Sequence, residues 1–250
     1  MLAVSPRHST ICGRKILELY GSALTYPNHG VKMNYRYRIN YSKKEGMRYT
    51  SNLDIHKMWE RTFRRAKLPL AYSQGFHPQP KIQQASPLPL GFLSDFEIVD
   101  FFLEQEMDLS SLETALTNSL PFGISINSIT QINLLEPALQ THTIASEYQV
   151  VFLEEFDAIK IIESIHVLIS KETVIRVRRG KSYDLRPLIL DLEIILENPI
   201  YLKMLLMSKD GATGRPEEVL SELNIPMELT RIIRKKIILA NEVLDNKLGL

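Results

Sequence analysis

Cysteine is nearly absent from this 250-residue sequence, which contains only Cys12. A single thiol excludes a disulfide framework within the chain, and it excludes any zinc or iron–sulfur site that needs several cysteines. The longest apolar runs are far shorter than a transmembrane helix of about 20 residues, so we expect no membrane contact. With 44% hydrophobic and 24% charged residues, the composition is typical of a globular protein, which we expect in the cytoplasm.

Motifs that mark common enzyme classes are missing as well. The sequence contains no G-x-S-x-G, Walker or G-x-G-x-x-G pattern. None of the six histidines has a partner at HxH or HxxxH spacing, so we expect no metal site, and nothing in the sequence predicts a cofactor. Asp54, Asp100 and Asp184 form no close sequence pair suited to carboxylate chemistry. An enzyme is therefore the less favoured class.

Charge is present but unevenly distributed. The net charge is +1, yet residues 31–82 contain twelve lysines and arginines against three acidic residues. Residues 83–170 contain thirteen acidic residues and one base, Lys160. Such a chain can attract a polyanion on one side and repel it on the other. The alternative, without a polyanionic ligand, is that the charges of the two stretches neutralise each other in the folded state.

Residue periodicity predicts an α+β fold whose first unit spans residues 33–135. Tyr or Ile alternates with Asn or Arg at the start of this unit, and a helical apolar period follows Ser51. The predicted elements in order are a strand (34–41), a helix (52–67), two strands (81–85 and 96–103), a helix (110–120) and a strand (124–132). This β-α-β-β-α-β order is that of a ferredoxin-like (split βαβ) unit with an antiparallel sheet.

A second unit of similar plan is predicted for residues 144–250, after a linker that contains Pro137. Its predicted strands and helices are 147–153, 156–170, 173–177, 188–196, 201–207 and 216–223, and a C-terminal helix over 228–245 follows Pro226. Residues 1–32 lack apolar periodicity, and Met33 directly precedes the first strand. We therefore expect residues 1–32 to be a disordered extension or a misassigned start.

The segment 68–91 is predicted to be a stiff surface loop. It contains five prolines, which fix φ and remove backbone donors. The groups between the prolines, Tyr72, Phe76, His77 and Lys81, are candidates for contact with a base or a partner. His77 is also a weak candidate for a general acid or base, and alternatively a turn histidine that caps a carbonyl.

Two clusters of cations are candidates for phosphate binding, because clustered arginines make bidentate, charge-assisted bonds to phosphate. The first joins the polar face of the helix at 52–67 to the outer face of the preceding strand, and its members are Arg36, Arg38, Lys57, Arg61, Arg64 and Arg65. The second flanks a glycine turn, and its members are Arg178, Arg179, Lys181 and Arg186. Either cluster could instead be a solvated, solubilising surface.

These segments together resemble the signature of the bacterial radical-SAM-linked proteins, a family that shares a domain of unknown function. The resemblance rests on the run 50–91, with YSQGFHPQPK at 72–81, and on RGK followed by YDLRP at 179–187; it covers about residues 33–235. It implies a domain that occurs alone or behind a cobalamin-binding radical SAM enzyme, and hence a separate radical SAM protein as a partner. Asn52 stands where many members have histidine, so any catalytic role of that histidine would be lost here.

The leading hypothesis from the sequence is a non-enzymatic RNA-binding module that presents tRNA or rRNA to a modifying or processing enzyme. A second hypothesis is a protein-interaction module for a radical SAM enzyme, with the acidic stretch 95–108 as part of the contact. A third is a metal-independent RNA-processing enzyme that uses His77. Binding to RNA alone, without a protein partner, would favour the first hypothesis over the second. Unchanged activity after replacement of His77 would argue against the third.

Overall fold

The computed structural model describes residues 34–209 and 211–240 of the chain. The prediction for residues 1–32 lies outside these residues. The described part is a mixed α/β structure built on one large, mostly antiparallel sheet.

The first half of this sheet follows the predicted order of elements. Its helices and strands are β1 (Tyr35–Lys43), α1 (Asn52–Arg65), β2 (Ile82–Gln84), β3 (Leu93–Leu103), α2 (Leu109–Thr117) and β4 (Ile124–Ile132). The strands lie in the order β4-β1-β3-β2, and each neighbouring pair is antiparallel.

The second half adds ten elements. They are α3 (Leu139–His142), β5 (Thr143–Phe152), α4 (Ala158–Ser170), β6 (Ile175–Arg178), β7 (Lys181–Asp184), β8 (Ile189–Ile195), β9 (Tyr201–Lys209), β10 (Ala212–Thr213), α5 (Pro216–Glu222) and β11 (Thr230–Leu239). Strands β11, β5 and β9 lie side by side, and both β8 and β10 pair with β9. Strands β6 and β7 form a separate hairpin.

The two halves share one sheet of nine strands. Strand β11 runs parallel to the start of β3, with Ile233 opposite Leu93 and Arg234 opposite Ser94. The sequence predicted two sheets without this connection. The α+β class and the antiparallel pairing are confirmed, whereas the assignment of each half as a ferredoxin-like unit stays a prediction.

The predicted C-terminal helix over 228–245 is wrong for its described residues, because residues 230–239 form strand β11. Its residues alternate between buried and half-buried positions up to Arg234, and a bulge at Arg234–Lys236 then shifts the alternation. The bulge places Ile237 and Leu239 in the core. Because a bulge inserts one residue into the period of two, the apolar spacing imitates that of a helix.

Helix α1 is held against the sheet by its apolar face. Ser51 caps its first turn by accepting a hydrogen bond from the Asp54 N–H at 3.2 Å. Trp59 and Phe63 are fully buried, and Trp59 packs edge-on against Tyr41 of β1, with the ring centres 4.9 Å apart. The opposite face of α1, which contains the cations, is therefore directed away from the core.

Candidate nucleic-acid interface

The cationic face of α1 forms one wall of an open groove of about 690 Å³, here called the α1 groove. Its lining residues are Met47, Thr50, Asp54, Lys57, Met58, Arg61, Arg64, Arg65 and Pro121. The four cations among them are exposed. With 14 residues, α1 is about 21 Å long, so the groove offers positive charge along several helical turns.

The cations of the α1 groove have no counter-ions within residues 34–209 and 211–240. No ion pair to a described carboxylate is formed by Lys57, Arg61, Arg64 or Arg65. Arg65 makes a single long hydrogen bond, 3.4 Å from its Nη2 to the Thr62 hydroxyl. The groove thus retains its positive charge for an anionic ligand.

Two predicted members of this cluster, Arg36 and Arg38, are not exposed. Both side chains bind the buried Asp100 carboxylate, at 2.6 Å for Arg36 and 2.8 Å for Arg38. Arg36 also donates to the carbonyl oxygens of Glu136 and Pro137, because the chain just before α3 covers this face of the sheet. The expectation that Arg36 and Arg38 lie on an outer, accessible face is therefore wrong.

A second groove, of about 620 Å³, brings together two segments that are distant in the sequence. It is called the hairpin groove, and its lining residues are Ser86, Pro87, Leu88, Pro89, Tyr148, Arg178, Arg179, Lys181, Gly211, Thr213, Gly214, Arg215, Pro216 and Glu217. The end of the proline-rich segment thus faces the second cation cluster. The α1 groove and the hairpin groove have no lining residue in common.

Three of the four cations predicted for the second cluster line the hairpin groove, with different roles. Arg179 and Lys181 are exposed, and Arg179-Gly180 forms the turn between β6 and β7 with φ values of 51° and 76°. Positive φ at both positions is the pattern of a type I′ hairpin turn, which glycine favours. This turn directs the cations of the hairpin tip into solvent.

Arg178 anchors the hairpin instead of facing a ligand freely. Its guanidinium binds Glu218 of α5 at 2.5 and 3.0 Å, donates to the Tyr183 hydroxyl at 3.0 Å and lies 4.6 Å from the centre of that ring. Burial would lower the pKa of Arg178, but the Glu218 carboxylate raises it above its ordinary value. Arg186, outside the groove, donates to the carbonyl oxygens of Ile169 and Ile189.

The tip of the proline-rich loop is open to solvent. Phe76 is fully exposed, His77 is exposed, and Tyr72 is partly exposed, whereas Lys81 is half-buried. A pair of hydrogen bonds between Ser73 and Gln79 closes the loop behind them. Among the described residues, His77 has no side-chain hydrogen-bond partner that would orient it for acid–base chemistry, so its catalytic role stays an untested prediction.

A buried ion pair contacts the lining of the hairpin groove from the core side. Arg234 of β11, which is fully buried, binds both carboxylate oxygens of Glu97 at 2.8 and 2.6 Å and donates to the Ser86 carbonyl oxygen at 3.0 Å. Burial would lower the pKa of Arg234, but Glu97 raises it, so the guanidinium remains charged. Burial also raises the pKa of the Tyr148 phenol beside it.

Two residues near these grooves, Tyr49 and Arg215, were not predicted from the sequence. Tyr49 follows the first strand and has 74% of its surface exposed, and Arg215 lines the hairpin groove with its nearest carboxylate, Glu217, 3.8 Å away. Tyr49 lies in a short, polar turn without periodicity, and exposure of a single aromatic residue has no signal in the sequence. Arg215 could have been included as a further cation, because it directly precedes the predicted helix at 216–223.

Within the described ranges, no three metal-binding side chains (histidine, cysteine or carboxylate) cluster as metal ligands would. No helix in this part of the chain has both the length and the apolar character needed to cross a bilayer.

Comparison with known proteins identifies the family to which the chain belongs. A family model described as "Uncharacterized protein conserved in bacteria (DUF2344)" matches residues 36–216. No curated protein matches significantly. Among solved structures, the chain is similar to a Cbf5-Nop10-Gar1 complex, with 9% identity, a TM-score of 0.43 and coverage of 80% of this chain and 48% of that one.

A second similar structure is the small subunit of acetolactate synthase from Thermotoga maritima. Here the identity is 11%, the TM-score is 0.24, and the coverage is 82% of this chain and 95% of that one. The chain spans about half the length of the first structure and nearly all of the second. Both TM-scores are too low for these likenesses to bear on function.

Proposed function

The chain belongs to the bacterial DUF2344 family, and from this premise we propose that it is an RNA-binding accessory module. The module binds structured RNA, of the tRNA or rRNA class, and presents it to a separate modifying or processing enzyme. The phosphates of the RNA lie in the α1 groove, on Lys57, Arg61, Arg64 and Arg65. The exposed Phe76 and His77 contact a base beyond the end of α1.

The observation that carries this proposal is the set of four exposed cations in the α1 groove without described counter-ions. Asp54 and Glu60 lie three and four positions before Lys57 and Arg64 on the helix, the spacing at which ion pairs form, but neither carboxylate is paired with these cations among the described residues. Here the charges are left for an external partner. Phosphates form ion pairs with such cations, and the counter-ions condensed on the nucleic acid are then released. This release favours association at low salt concentration.

The exposed aromatic residues favour RNA over a duplex DNA ligand. Sequence-specific RNA recognition uses unpaired bases that stack on aromatic side chains. Phe76 is fully exposed on a loop that two hydrogen bonds close. Its ring is therefore in contact with water and does not pack in the core, which suits a residue that contacts a ligand. A base provides the flat apolar surface that would cover it.

The acidic stretch that favoured docking on a radical SAM enzyme gives less support to that alternative than its sequence suggested. Asp95, Glu97 and Asp100 are all ion-paired with cations of this chain, and the last two are buried. The charge of these three residues is therefore neutralised internally, whereas Glu106 and Asp108 of the same stretch are exposed. A radical SAM protein as the separate enzyme remains part of the proposal.

We further propose that the module consists of two ferredoxin-like units. The order β4-β1-β3-β2 in the first half supports this, as does the order β11-β5-β9-β8 in the second half, where the β6–β7 hairpin is an insertion. In both halves a helix follows the first strand and another precedes the last. Strand β11 supplies the last strand of the second unit, at the position where the sequence predicted a helix.

Binding to RNA tests the proposal. We expect Arg61→Gln with Arg64→Gln to lower the affinity for a fluorescent bacterial tRNA by about tenfold or more at low salt. The slope of log K against log salt concentration should also fall by about 2, because two phosphate contacts are lost. Fluorescence anisotropy over a series of salt concentrations measures both quantities.

The matched control is Lys160→Gln with Lys171→Gln, which removes the same charge at α4. Both lysines pair with carboxylates of their own chain, Asp157 and Glu222. We expect the control to bind RNA as the unmodified protein does, within about twofold. No binding by the unmodified protein, or equal losses in the two double variants, would show that the α1 groove is not an RNA site.

A further inference from the structure

A third groove, of about 320 Å³, is lined by the exposed Tyr49 that the sequence reasoning missed. It is called the Tyr49 groove, and its lining residues are Arg48, Tyr49, Leu90, Gly91, Phe92, Met227, Glu228, Thr230 and Ile232. It has a mixed character, with an aromatic ring, a guanidinium, the exposed Glu228 carboxylate and apolar side chains. No residue of this groove belongs to the predicted cation clusters.

The Tyr49 groove shares two chain segments with the α1 groove and the hairpin groove. Met47 and Thr50 line the α1 groove, and Arg48 and Tyr49, which lie between them in the chain, line the Tyr49 groove. On the other side, residues 86–89 line the hairpin groove and residues 90–92 continue into the Tyr49 groove. Two short stretches of backbone therefore contribute residues to all three grooves.

The backbone around Tyr49 is fixed although its ring is exposed. The Lys43 ammonium donates to the carbonyl oxygens of both Arg48 and Thr50, at 3.2 Å each, so the residues on either side of Tyr49 are held by one buried side chain. Burial lowers the pKa of Lys43. The Arg48 carbonyl oxygen also accepts the Gly91 N–H at 3.2 Å.

One side of the Tyr49 ring has a cationic neighbour. The Arg48 guanidinium lies 5.2 Å from the ring centre and is oriented by a 2.9 Å hydrogen bond from its Nε to the Gly91 carbonyl oxygen. Gly91 has a φ of +85°, and a Cβ at this position would lie 3.8 Å from the Tyr49 ring edge. The ring is thus an exposed platform that is pre-positioned by its surroundings and has an arginine beside it.

We propose that Tyr49 stacks on an unpaired base of a single-stranded stretch of RNA. The phosphates on one side of this base lie in the α1 groove, and those on the other side lie in the hairpin groove, at Arg179 and Lys181. Grooves that combine cations for the backbone with an aromatic platform are the general means of binding single strands. This inference rests on the proposed function and specifies its ligand as RNA with an unpaired segment.

A substitution series at Tyr49 tests the inference. We expect Tyr49→Leu to weaken binding of a single-stranded RNA of about 12 nucleotides by about tenfold, since each stacked base contributes on this scale. Tyr49→Phe keeps the ring and should bind within about twofold of the unmodified protein. The salt dependence should be unchanged in both variants, because stacking involves no counter-ions.

A second measurement reports stacking directly. A 2-aminopurine base placed in the single strand should lose fluorescence on binding to the unmodified protein and to Tyr49→Phe, but not to Tyr49→Leu. A duplex of the same length should bind Tyr49→Leu and the unmodified protein equally, because its bases are already paired. Circular dichroism of the variants confirms that the fold is intact.

The outcomes separate this inference from the proposed function. If the unmodified protein binds RNA and Tyr49→Leu binds the single strand equally well, Tyr49 is not a base platform, although the RNA-binding function stands. Equal losses on single strand and duplex would also overturn stacking at Tyr49. If the unmodified protein binds neither RNA, both proposals fail together.

Discussion

Two sets of arginines in this molecule have the same chemistry and opposite surroundings. Arg36, Arg38 and Arg234 lie in the sheet, buried and bound to Asp100 or Glu97. The cations of the α1 groove, such as Arg61 and Arg64, are exposed and have no described counter-ion. The first set is buried in ion pairs within the fold and the second is not, so only the second is available to a ligand.

One member of the buried set, Arg234, also joins the two halves of the sheet. Arg234 belongs to the last strand and Glu97 to β3, and the Ser94 hydroxyl donates to the Arg234 carbonyl oxygen at 3.1 Å beside them. Two buried charges are tolerated only when they neutralise each other and form further hydrogen bonds. The parallel pairing of β11 with β3 places them in contact. The comparison therefore predicts large effects on stability for one set and effects on binding for the other.

The largest effect is expected from breaking the buried pair at Arg234. Arg234→Met leaves the Glu97 carboxylate buried without its partner, and we expect a loss of about 3–5 kcal/mol in the free energy of unfolding. Urea denaturation measures this loss. Arg64→Ala, the matched change in the exposed set, should alter the free energy of unfolding by less than about 0.5 kcal/mol.

The double variant Arg234→Met with Glu97→Leu strengthens this test. It removes both charges, so we expect it to recover much of the stability that the single variant loses. A destabilisation by Arg64→Ala as large as that by Arg234→Met would remove the distinction between the two sets. Full stability of Arg234→Met would show that the buried pair does not hold the sheet together.

A smaller effect is expected at the hairpin, where both kinds of cation occur side by side. Arg178 is anchored by Glu218, whereas Arg179 is exposed at the turn. We expect Arg178→Gln to lower the free energy of unfolding by about 1 kcal/mol, because the pair is only partly buried. Arg179→Gln should leave stability unchanged and weaken RNA binding severalfold. Urea denaturation and anisotropy measure the two effects.

Glu218→Gln decides whether Arg178 itself binds phosphate. If Arg178 is only an anchor, this variant destabilises the hairpin and RNA binding stays the same or weakens. If Arg178 can also bind a phosphate, loss of its ion pair with Glu218 should strengthen RNA binding. The second result would place Arg178 with the exposed set and contradict the comparison at this position.

The sequence predicted the exposed set better than the buried set, for a physical reason. The polar face of α1 follows from its 3.6-residue period, since the residues that pack on the sheet determine which ones do not. Arg36 and Arg38 also alternate with apolar residues, but their face is covered by the chain before α3, about 100 residues later. Periodicity within one strand contains no information about a distant segment that covers it.

The fold shows the same limit. The order of elements in the first half was predictable from local patterns, whereas the parallel contact between β11 and β3 depends on residues 140 positions apart. Strand β11 was predicted as a helix because the buried Arg234 interrupts its apolar alternation and a bulge follows. A charged residue that is buried by pairing with a distant carboxylate looks like a surface residue in the sequence.

The smallest effect is expected from an exposed acid, which extends the comparison to carboxylates. Asp108 caps α2, and one of its oxygens accepts hydrogen bonds from the Ser110 hydroxyl at 2.7 Å and from the Ser111 N–H and hydroxyl at 2.9 Å each. The hydroxyl of Ser110, followed by the two donors of Ser111, lowers the pKa of Asp108 to about 2. Exposed charges can therefore matter to the fold when they bind backbone and hydroxyl donors.

The depressed pKa of Asp108 determines the direction of the pH effect. The folded state holds the carboxylate more strongly than the unfolded state, whose aspartate has a pKa of about 3.9. The contribution of Asp108 is therefore complete above about pH 4 and is lost as the pH falls toward 2. Asp108→Asn keeps an acceptor but cannot titrate, so the stability advantage of the unmodified protein over this variant should shrink between pH 5 and pH 3. Urea denaturation at the two pH values measures the change, and an advantage that is constant or grows on acidification would show that the cap does not bind the charged form.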